Sequence, residues 1–330
     1  MTIFERKLMA IQRHLTKMYS LLICFGLSVL TWAETRAQPL PTGEETTSAE
    51  AKSFSIAVPS QESLNGGHLQ GVQIENGTLI VSGSSRKFGY LGVFQLIGGE
   101  FQFLGIKKLA RGRYNHAGGF QLAGNWLAIG VEDPIGKRSS IIQLIDISSF
   151  EKLSGPPVYT LQRKGEYKRS TAGAVALLKR NDHFLLAVGS WDSTVIDFYT
   201  SNHTDPYAED FTFEIWTSWD SREAKRNDWA DRDYNSYQSL QLTEDSSGVY
   251  VTGFARSRGK NVADIFKLRT EADPYTLVQK IGTYSVQCLG DVTFRNSGGF
   301  TNFNGIPSII AIGHNLSPTT NIQIFPIDKQ

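Results

Sequence analysis

Two histidines open the same short pattern in different parts of the chain. His68 begins His68-Leu-Gln-Gly-Val-Gln-Ile74, and His116 begins His116-Ala-Gly-Gly-Phe-Gln-Leu122. A third, His314, follows the apolar run Ile309-Ile-Ala-Ile-Gly313. Imidazole titrates near neutrality, so His68 and His116 are candidate acid and base catalysts, with Asp133 as a candidate catalytic carboxylate. Neutral imidazole is also a common metal ligand. His68, His116 and His314 are therefore candidate ligands of a divalent metal ion, with Glu132 or Asp133 to complete the set. The three have no HxH or HExxH spacing, and histidines that merely bond neighbouring backbone are the alternative.

Polar residues suited to holding a ligand recur at matching places. Gln70 and Gln238 occupy the same position in two copies of the pattern, and Asn115 and Asn235 each precede a copy. Arg86, Arg113, Arg169 and Arg256 offer charge-assisted donors to a carboxylate or phosphate. Trp191-Asp192 sets an aromatic face beside a carboxylate, and Glu132 joins the same candidate binding set. Residues 217–235 read as one loop carrying Trp219, Trp229 and Tyr234, longer than the ~12–15 residues usual for a compact domain. Trp229 is its candidate stacking surface for a sugar ring or base; aromatic packing of the loop onto its own sheet is the alternative. Cys288 reads first as a small buried residue, and as a nucleophile only where neighbouring cations lower its pKa. No GxSxG, phosphate-binding glycine loop or zinc-like cysteine pair occurs. The Asn76-Gly-Thr78 and Asn202-His-Thr204 sequons matter only in a host that glycosylates secreted proteins.

These residues need a scaffold that gathers distant segments. Weaker copies of the pattern are Thr171-Ala-Gly-Ala-Val-Ala-Leu177, Ser236-Tyr-Gln-Ser-Leu-Gln-Leu242 and Cys288-Leu-Gly-Asp-Val-Thr-Phe294, so the five starts are 48, 55, 65 and 52 residues apart. Each copy is followed by an apolar run ending in glycine, such as Leu79-Ile-Val-Ser-Gly83. Third strands are expected over 90–96, 140–147, 194–199, 263–268 and 321–327, and fourth strands over 101–106, 158–161, 212–216 and 276–281. The fifth unit lacks a fourth strand, and Phe54-Ser-Ile-Ala-Val58 is available to supply it.

By repeat architecture the chain resembles the β-propeller superfamily, without the Trp-Asp repeat ending or the Asp-box of better-known members. The resemblance covers roughly residues 53–328. It implies an all-β, five-bladed propeller over residues 53–330 whose N-terminal strand completes the last blade. A two-sheet β-sandwich is the competing architecture. Propeller topology puts the loops entering each first strand and leaving each second strand on one face. His68, His116, Thr171, Ser236 and Cys288 should then form a polar ring there. Five-bladed glycosidases are similar in layout and use carboxylates from separate blades, but here only Asp291 falls within a repeat strand. Asp146, Asp197 and Asp264 lie on third strands and read as structural.

Composition narrows the function. In 330 residues, 33 Lys+Arg against 32 Asp+Glu give +1, with 20% charged and 11% aromatic residues. That excludes a disordered polyelectrolyte and a basic nucleic-acid packer. Thirty-one Gly without a three-residue period exclude collagen, and two Cys exclude a disulfide scaffold. The ten loops of the expected face carry 17 Lys+Arg and 10 Asp+Glu, a positive balance that would concentrate anions there.

Residues 1–37 have the basic head, short apolar middle and small-residue exit of a secretory signal, cleaved after Ala33 or Ala37. Residues 38–52 read as a flexible linker. The expectation is a secreted or periplasmic monomer with no integral membrane span after signal removal and no nucleic-acid partner. It would recognise an extended anionic ligand, an acidic polysaccharide or a phosphate ester, with His-dependent lyase or hydrolase activity as the enzymatic version. The alternative is a non-catalytic lectin-like or protein-interaction scaffold.

Overall fold

The structure is a computed structural model that describes residues 43–46, 50–59, 64, 67–316 and 318–327. The leader read in residues 1–37 lies outside the described residues. No helix among those described is long and apolar enough to cross a membrane.

Short runs of β-branched and aromatic residues, punctuated by tight turns, make nearly every element a strand. Two come from the N-terminal side, β1 (Gly43–Thr46) and β2 (Lys52–Ala57). The first four-stranded sheet is β3 (Leu69–Glu75), β4 (Thr78–Ser84), β5 (Phe88–Ile97) and β6 (Glu100–Arg111). Its first hairpin turns on Asn76-Gly77, with φ of 50° and 74°, the left-handed pair that a two-residue turn between twisted strands demands. The second sheet is β7 (His116–Ala123), β8 (Trp126–Glu132), β9 (Ser139–Asp146) and β10 (Tyr159–Lys164). The third is β11 (Ala174–Lys179), β12 (Phe184–Gly189), β13 (Val195–Ser201) and β14 (Phe213–Asp220). The fourth is β15 (Ser239–Asp245), β16 (Gly248–Ser257), β17 (Lys260–Leu268) and β18 (Val278–Val286). The fifth begins with β19 (Gly298–Phe303), β20 (Ile306–Ile312) and β21 (Thr319–Pro326). Strand β2 completes it, pairing antiparallel with β21 from Lys52↔Ile324 to Ala57↔Thr319.

The chain is therefore a five-bladed β-propeller closed by its N-terminal strand, as its repeats imply. The hydrophobic core has the same count. It divides into five clusters, each spanning one seam between neighbouring blades; Leu69 and Val72 of the first blade, for example, pack with Ile310 and Ile312 of the fifth. A two-layer sandwich would instead share one core between its sheets. Within the stretch read as a linker, β1 pairs in parallel with β18 over Gly43↔Gly282 to Thr46↔Ser285 and adds a fifth strand to the fourth blade.

One repeat copy is corrected. The inner strand of the fifth blade is β19, so the copy there reads Ser297-Gly-Gly-Phe-Thr-Asn-Phe303, in step with Ala117-Gly-Gly-Phe-Gln-Leu-Ala123. Cys288–Phe294 lies in the turns before it, where Gly290 takes a φ of 65°. Two similar patterns of small and apolar residues stand within a dozen positions, and only the second makes a ladder, with β20.

At the axis the inner strands are bound by buried side-chain amides. Gln121 Oε1 accepts from the N–H groups of Leu177 (3.0 Å) and Leu242 (2.7 Å), while its Nε2 donates to the Leu242 carbonyl (2.8 Å). Gln241 accepts from Phe300 N (2.5 Å) and donates to Phe300 O (3.1 Å), and Gln73 accepts from Leu122 N (2.6 Å). The blades approach so closely that a Cβ on Gly119 would lie 2.6 Å from the Gln238 carbonyl oxygen.

Replacing Gln121 by Leu keeps the volume but strands two buried N–H groups and a carbonyl. The free energy of unfolding should fall by at least about 3 kcal/mol, at ~1–3 kcal/mol for each of the three unsatisfied groups. Urea titration of the variant checks this, and a change below about 0.5 kcal/mol would show that the amide does not hold the axis.

Candidate functional site

The imidazoles meet at one end of the axis. His68 immediately precedes β3 and His116 opens β7, so both sit at the entry of an inner strand. Their ring centroids are 5.2 Å apart, and the two Nε2 atoms are separated by 3.4 Å. Gln70 Nε2 lies 2.8 Å from His68 Nε2 and donates to it, which requires that nitrogen to carry no proton. Burial, followed by the neighbouring His116 and His314, lowers the His68 pKa to about 4. His68 is thus neutral at physiological pH.

The carboxylate behind His116 is Glu132, its register partner across β7 and β8. Glu132 is 2% exposed, its Oε2 accepts from Ala172 N (3.0 Å), and its Oε1 stands 3.2 Å from His116 Nδ1 in a contact that lacks hydrogen-bond alignment. Asp133, the catalytic candidate, is directed elsewhere. Its Oδ1 accepts from the N–H groups of Ile135 and Gly136, and its Oδ2 pairs with Arg113 at 3.1 Å. Asp133 closes its own loop because it follows the last residue of β8, where the chain turns away.

His314 reaches the same place but does not converge on it. Its ring stacks on His68 at 5.5 Å and 14°, and its Nδ1 donates to Asn315 Oδ1 (2.8 Å). Parallel stacking sets the two imidazoles side by side rather than aiming their nitrogens at one point. Among the described residues no group of three His, Cys, Asp or Glu is arranged to hold a metal ion, so the His68, His116 and His314 ligand set is not assembled.

Beside the imidazoles lies a cleft of about 590 Å³ lined by Asp192, Ser236, Gln238, Arg256, Gly259 and Arg295. Asp192 sits in a single 3-10 turn, Trp191–Ser193, with a φ of 58°, and its Oδ1 accepts from Ser236 Oγ (2.6 Å). Gln238 Nε2 in turn donates to Ser236 Oγ (3.4 Å). Arg256 comes from the exit of β16 and Arg295 from the turn before β19; neither guanidinium has an ion pair among the described residues. The next residue, Ser239, donates from its hydroxyl to the Gln70 carbonyl (3.4 Å), so the cleft and the imidazoles share a floor. Arg295 escaped notice in the sequence because it lies between the false and the true fifth copies.

Other candidates are placed differently. Arg169 grips Asp197 through both oxygens at 2.5 Å, and Arg163 pairs with the same carboxylate and with the Thr171 carbonyl. Burial alone would raise the Asp197 pKa, but the hydrogen bond from Arg169, the charge of Arg163 and the Ser218 hydroxyl hold it below the usual range. Asn235 Nδ2 donates to Asp264 Oδ2 (2.8 Å), and Asn115 Nδ2 to the Arg86 carbonyl (3.2 Å), while Arg86 itself is exposed. Trp229 is buried between Trp219 of the third blade (6.3 Å) and Phe266 of the fourth (5.6 Å), so it packs its loop into the seam between those blades rather than facing a ligand. That loop is pinned by Lys280, whose Nζ bonds Asp231 (2.8 Å) and the buried Asp264 (2.9 Å). Burial pushes the Cys288 thiol up to about 12, far from a nucleophile's thiolate. Asp291 lies in a turn, outside any inner strand.

No family model and no curated protein matches the chain. Among solved structures it is similar to the WD40 domain of Pan2 from Neurospora crassa, with 11% identity, a TM-score of 0.43, and 87% of this chain and 99% of that one covered. It is also similar to a GH43_1 enzyme from Xanthomonas citri, with 10% identity, a TM-score of 0.45, and 83% and 91% covered. The catalytic domain of a GH62 α-L-arabinofuranosidase from Coprinopsis cinerea gives 9% identity, a TM-score of 0.46, and 86% and 98% covered. Likenesses this distant carry no argument about activity, and the blade count rests on the strand pairing and the seams.

The His68 environment sets a pH signature. An unfolded histidine titrates near about 6.5 and the folded one near about 4, so between these values the unfolded chain takes a proton that the folded chain refuses. This contribution to stability is complete above about pH 6.5 and declines as the pH falls toward 4. Urea unfolding of His68→Asn beside the wild type should show a shallower loss across that window; parallel slopes would contradict it.

Proposed function

We propose that the protein is a secreted or periplasmic propeller that binds an anionic glycan or phosphate ester at the His68 end of its axis. The carrying observation is the cleft itself, where Arg256 and Arg295, without an ion pair among the described residues, stand beside Asp192, Ser236 and Gln238. Two guanidinium groups suit a carboxylate or phosphate. The carboxylate, hydroxyl and amide beside them suit the hydroxyls of a sugar ring. A binding role outside the cytoplasm follows from the leader read in residues 1–37.

One feature favours a catalytic version of the same reading. His116 is backed by the buried Glu132 on Nδ1 and presents Nε2 to the neutral His68. A buried carboxylate beside an imidazole sets an acceptor next to a group that can take a proton. His116 would take a proton from the bound ligand, a general-base role suited to a lyase, while the neutral His68 beside it stays unprotonated.

Calorimetric titration with galacturonate oligomers tests the binding. Arg256→Ala and Arg295→Ala should each weaken it about 10-fold or more, since hydrogen bonds to charged groups contribute ~1.5–3 kcal/mol. Binding that persists in about 0.5 M salt would mark a shaped site rather than loose attraction. His116→Asn should leave the affinity intact and abolish any turnover. Equal affinity in both arginine variants and the wild type would remove the cleft from the reading.

A further inference from the structure

Four of the seven described non-glycine residues with left-handed backbone gather in one place on the rim: Lys137 (φ 50°), Lys168 (φ 61°), Asp192 (φ 58°) and Ser193 (φ 51°). Such backbone is unfavourable for residues with a Cβ and persists only where the surroundings enforce it. Here three loops enforce it on one another. Lys168 N donates to the Lys137 carbonyl (2.6 Å), and Trp191 N donates to the Lys168 carbonyl (3.1 Å). The product of this knot is a charged aromatic surface. Lys137 Nζ stands 3.6 Å from the centre of the Trp191 ring, and Lys168 Nζ stands 5.6 Å from it. Arg138 and Lys168 also flank the exposed ring of Tyr167, at 5.9 and 5.8 Å.

None of Lys137, Arg138 and Lys168 has an ion pair among the described residues. Two ammonium groups over one ring lie within about 10 Å of each other, a Debye length at ~0.1 M salt, and repel with no ion pair among the described residues to offset them. An anion seated there would relieve that repulsion. The patch also continues directly into the cleft, because Trp191 is followed by Asp192, which lines it.

The geometry points to a second anion subsite at Lys137, Trp191 and Lys168, so that the ligand is a chain of at least two linked uronate units. The first unit lies between Arg256 and Arg295, and the next stacks on the exposed Tyr167 ring with its carboxylate at the lysines held over Trp191. This deepens, and rests on, the reading of the cleft as an anion site, and it favours an acidic polysaccharide over a phosphate ester. An aromatic face beneath a sugar ring and an ammonium at its carboxylate use the two features that the strained backbone holds together.

Mono-, di- and trigalacturonate titrations, combined with lysine acetylation read by mass spectrometry, test it. The wild type should bind the trimer at least about 10-fold more tightly than the monomer, because the second contact becomes intramolecular. A variant with both Lys137→Gln and Lys168→Gln should keep the monomer affinity and lose that gain. The trimer should protect Lys137 and Lys168, but not the distant Lys52, from acetylation. An undiminished gain in the double variant, or unprotected lysines in the saturated complex, overturns the subsite. Failure of the cleft reading looks different: Arg256→Ala would bind the trimer as tightly as the wild type while the lysines stayed protected. Absence of both binding and protection would refute both.

Discussion

The arrangement depends on how five inner strands satisfy their backbone where they crowd together. Only β7 and β11 are joined directly, at Ala174↔Gly119. Elsewhere the axial N–H and C=O groups face neighbours too far for a ladder and too enclosed for water, and unpaired groups there would be costly. Glutamine meets this need because one amide both donates and accepts at the end of two methylenes. Gln73, Gln121 and Gln241 are 6%, 8% and 3% exposed, and between them they reach backbone of the second, third, fourth and fifth blades. Thr301 makes the equivalent link to the Ile74 carbonyl (2.6 Å). Glycine, alanine or serine two residues earlier, at Gly71, Gly119, Ala174, Ser239 and Gly299, lets the blades come close enough for those amides to span the gap.

A filled axis turns one end of the wheel into a floor. Side chains at the entries of the inner strands cannot descend, so His68 and His116 are pressed against each other and Gln70 against His68. Crowding selects neutral imidazole, since a proton on His68 would meet burial and two other rings at once. Strand alternation decides which acid joins them. Glu132 ends β8 opposite His116 and points into the floor, whereas Asp133, one residue on, belongs to the loop and serves Arg113.

The blades were legible because each is a short alternating pattern with its own turn signals, and those are local properties of the chain. Even the closing strand could be assigned, since a unit lacking one strand and a spare strand at the other end admit one economical solution. The fifth inner strand was harder. Cys288–Phe294 and Ser297–Phe303 carry comparable patterns, and choosing between them needs the pairing with β20. The axial glutamines had a readable signal: Gln73, Gln121 and Gln241 occupy the same place in three copies, each alone among apolar neighbours. A polar residue repeated inside a buried strand marks a required hydrogen bond rather than a ligand contact. Trp229 was ambiguous by type alone, because an aromatic residue on a long loop packs or binds according to a partner, here Trp219, that sequence distance hides.

Charge shows most clearly where counting fails and pairing decides. The loops of the funnel end do carry an excess of bases, yet much of it is spent within the fold. Asp197, on the third strand of one blade, holds Arg163 from the blade before and Arg169 from the loop between them, which makes the seam a charged rivet. Arg113, Arg222 and Arg258 are likewise matched to Asp133, Asp220 and Asp233. Asp197 and Arg163 are buried, and removing one of them would leave the other uncompensated, whereas the pairs of the three exposed arginines cancel charge at the surface. The field at this face comes from what is left after this cancellation. Arg256 and Arg295 at the cleft and Lys137, Arg138 and Lys168 on the adjoining rim have no ion pair among the described residues, and they run from the funnel toward the seam of the second and third blades. Cations left without an ion pair among the described residues of a nearly neutral protein say more about the field of this face than its summed charge.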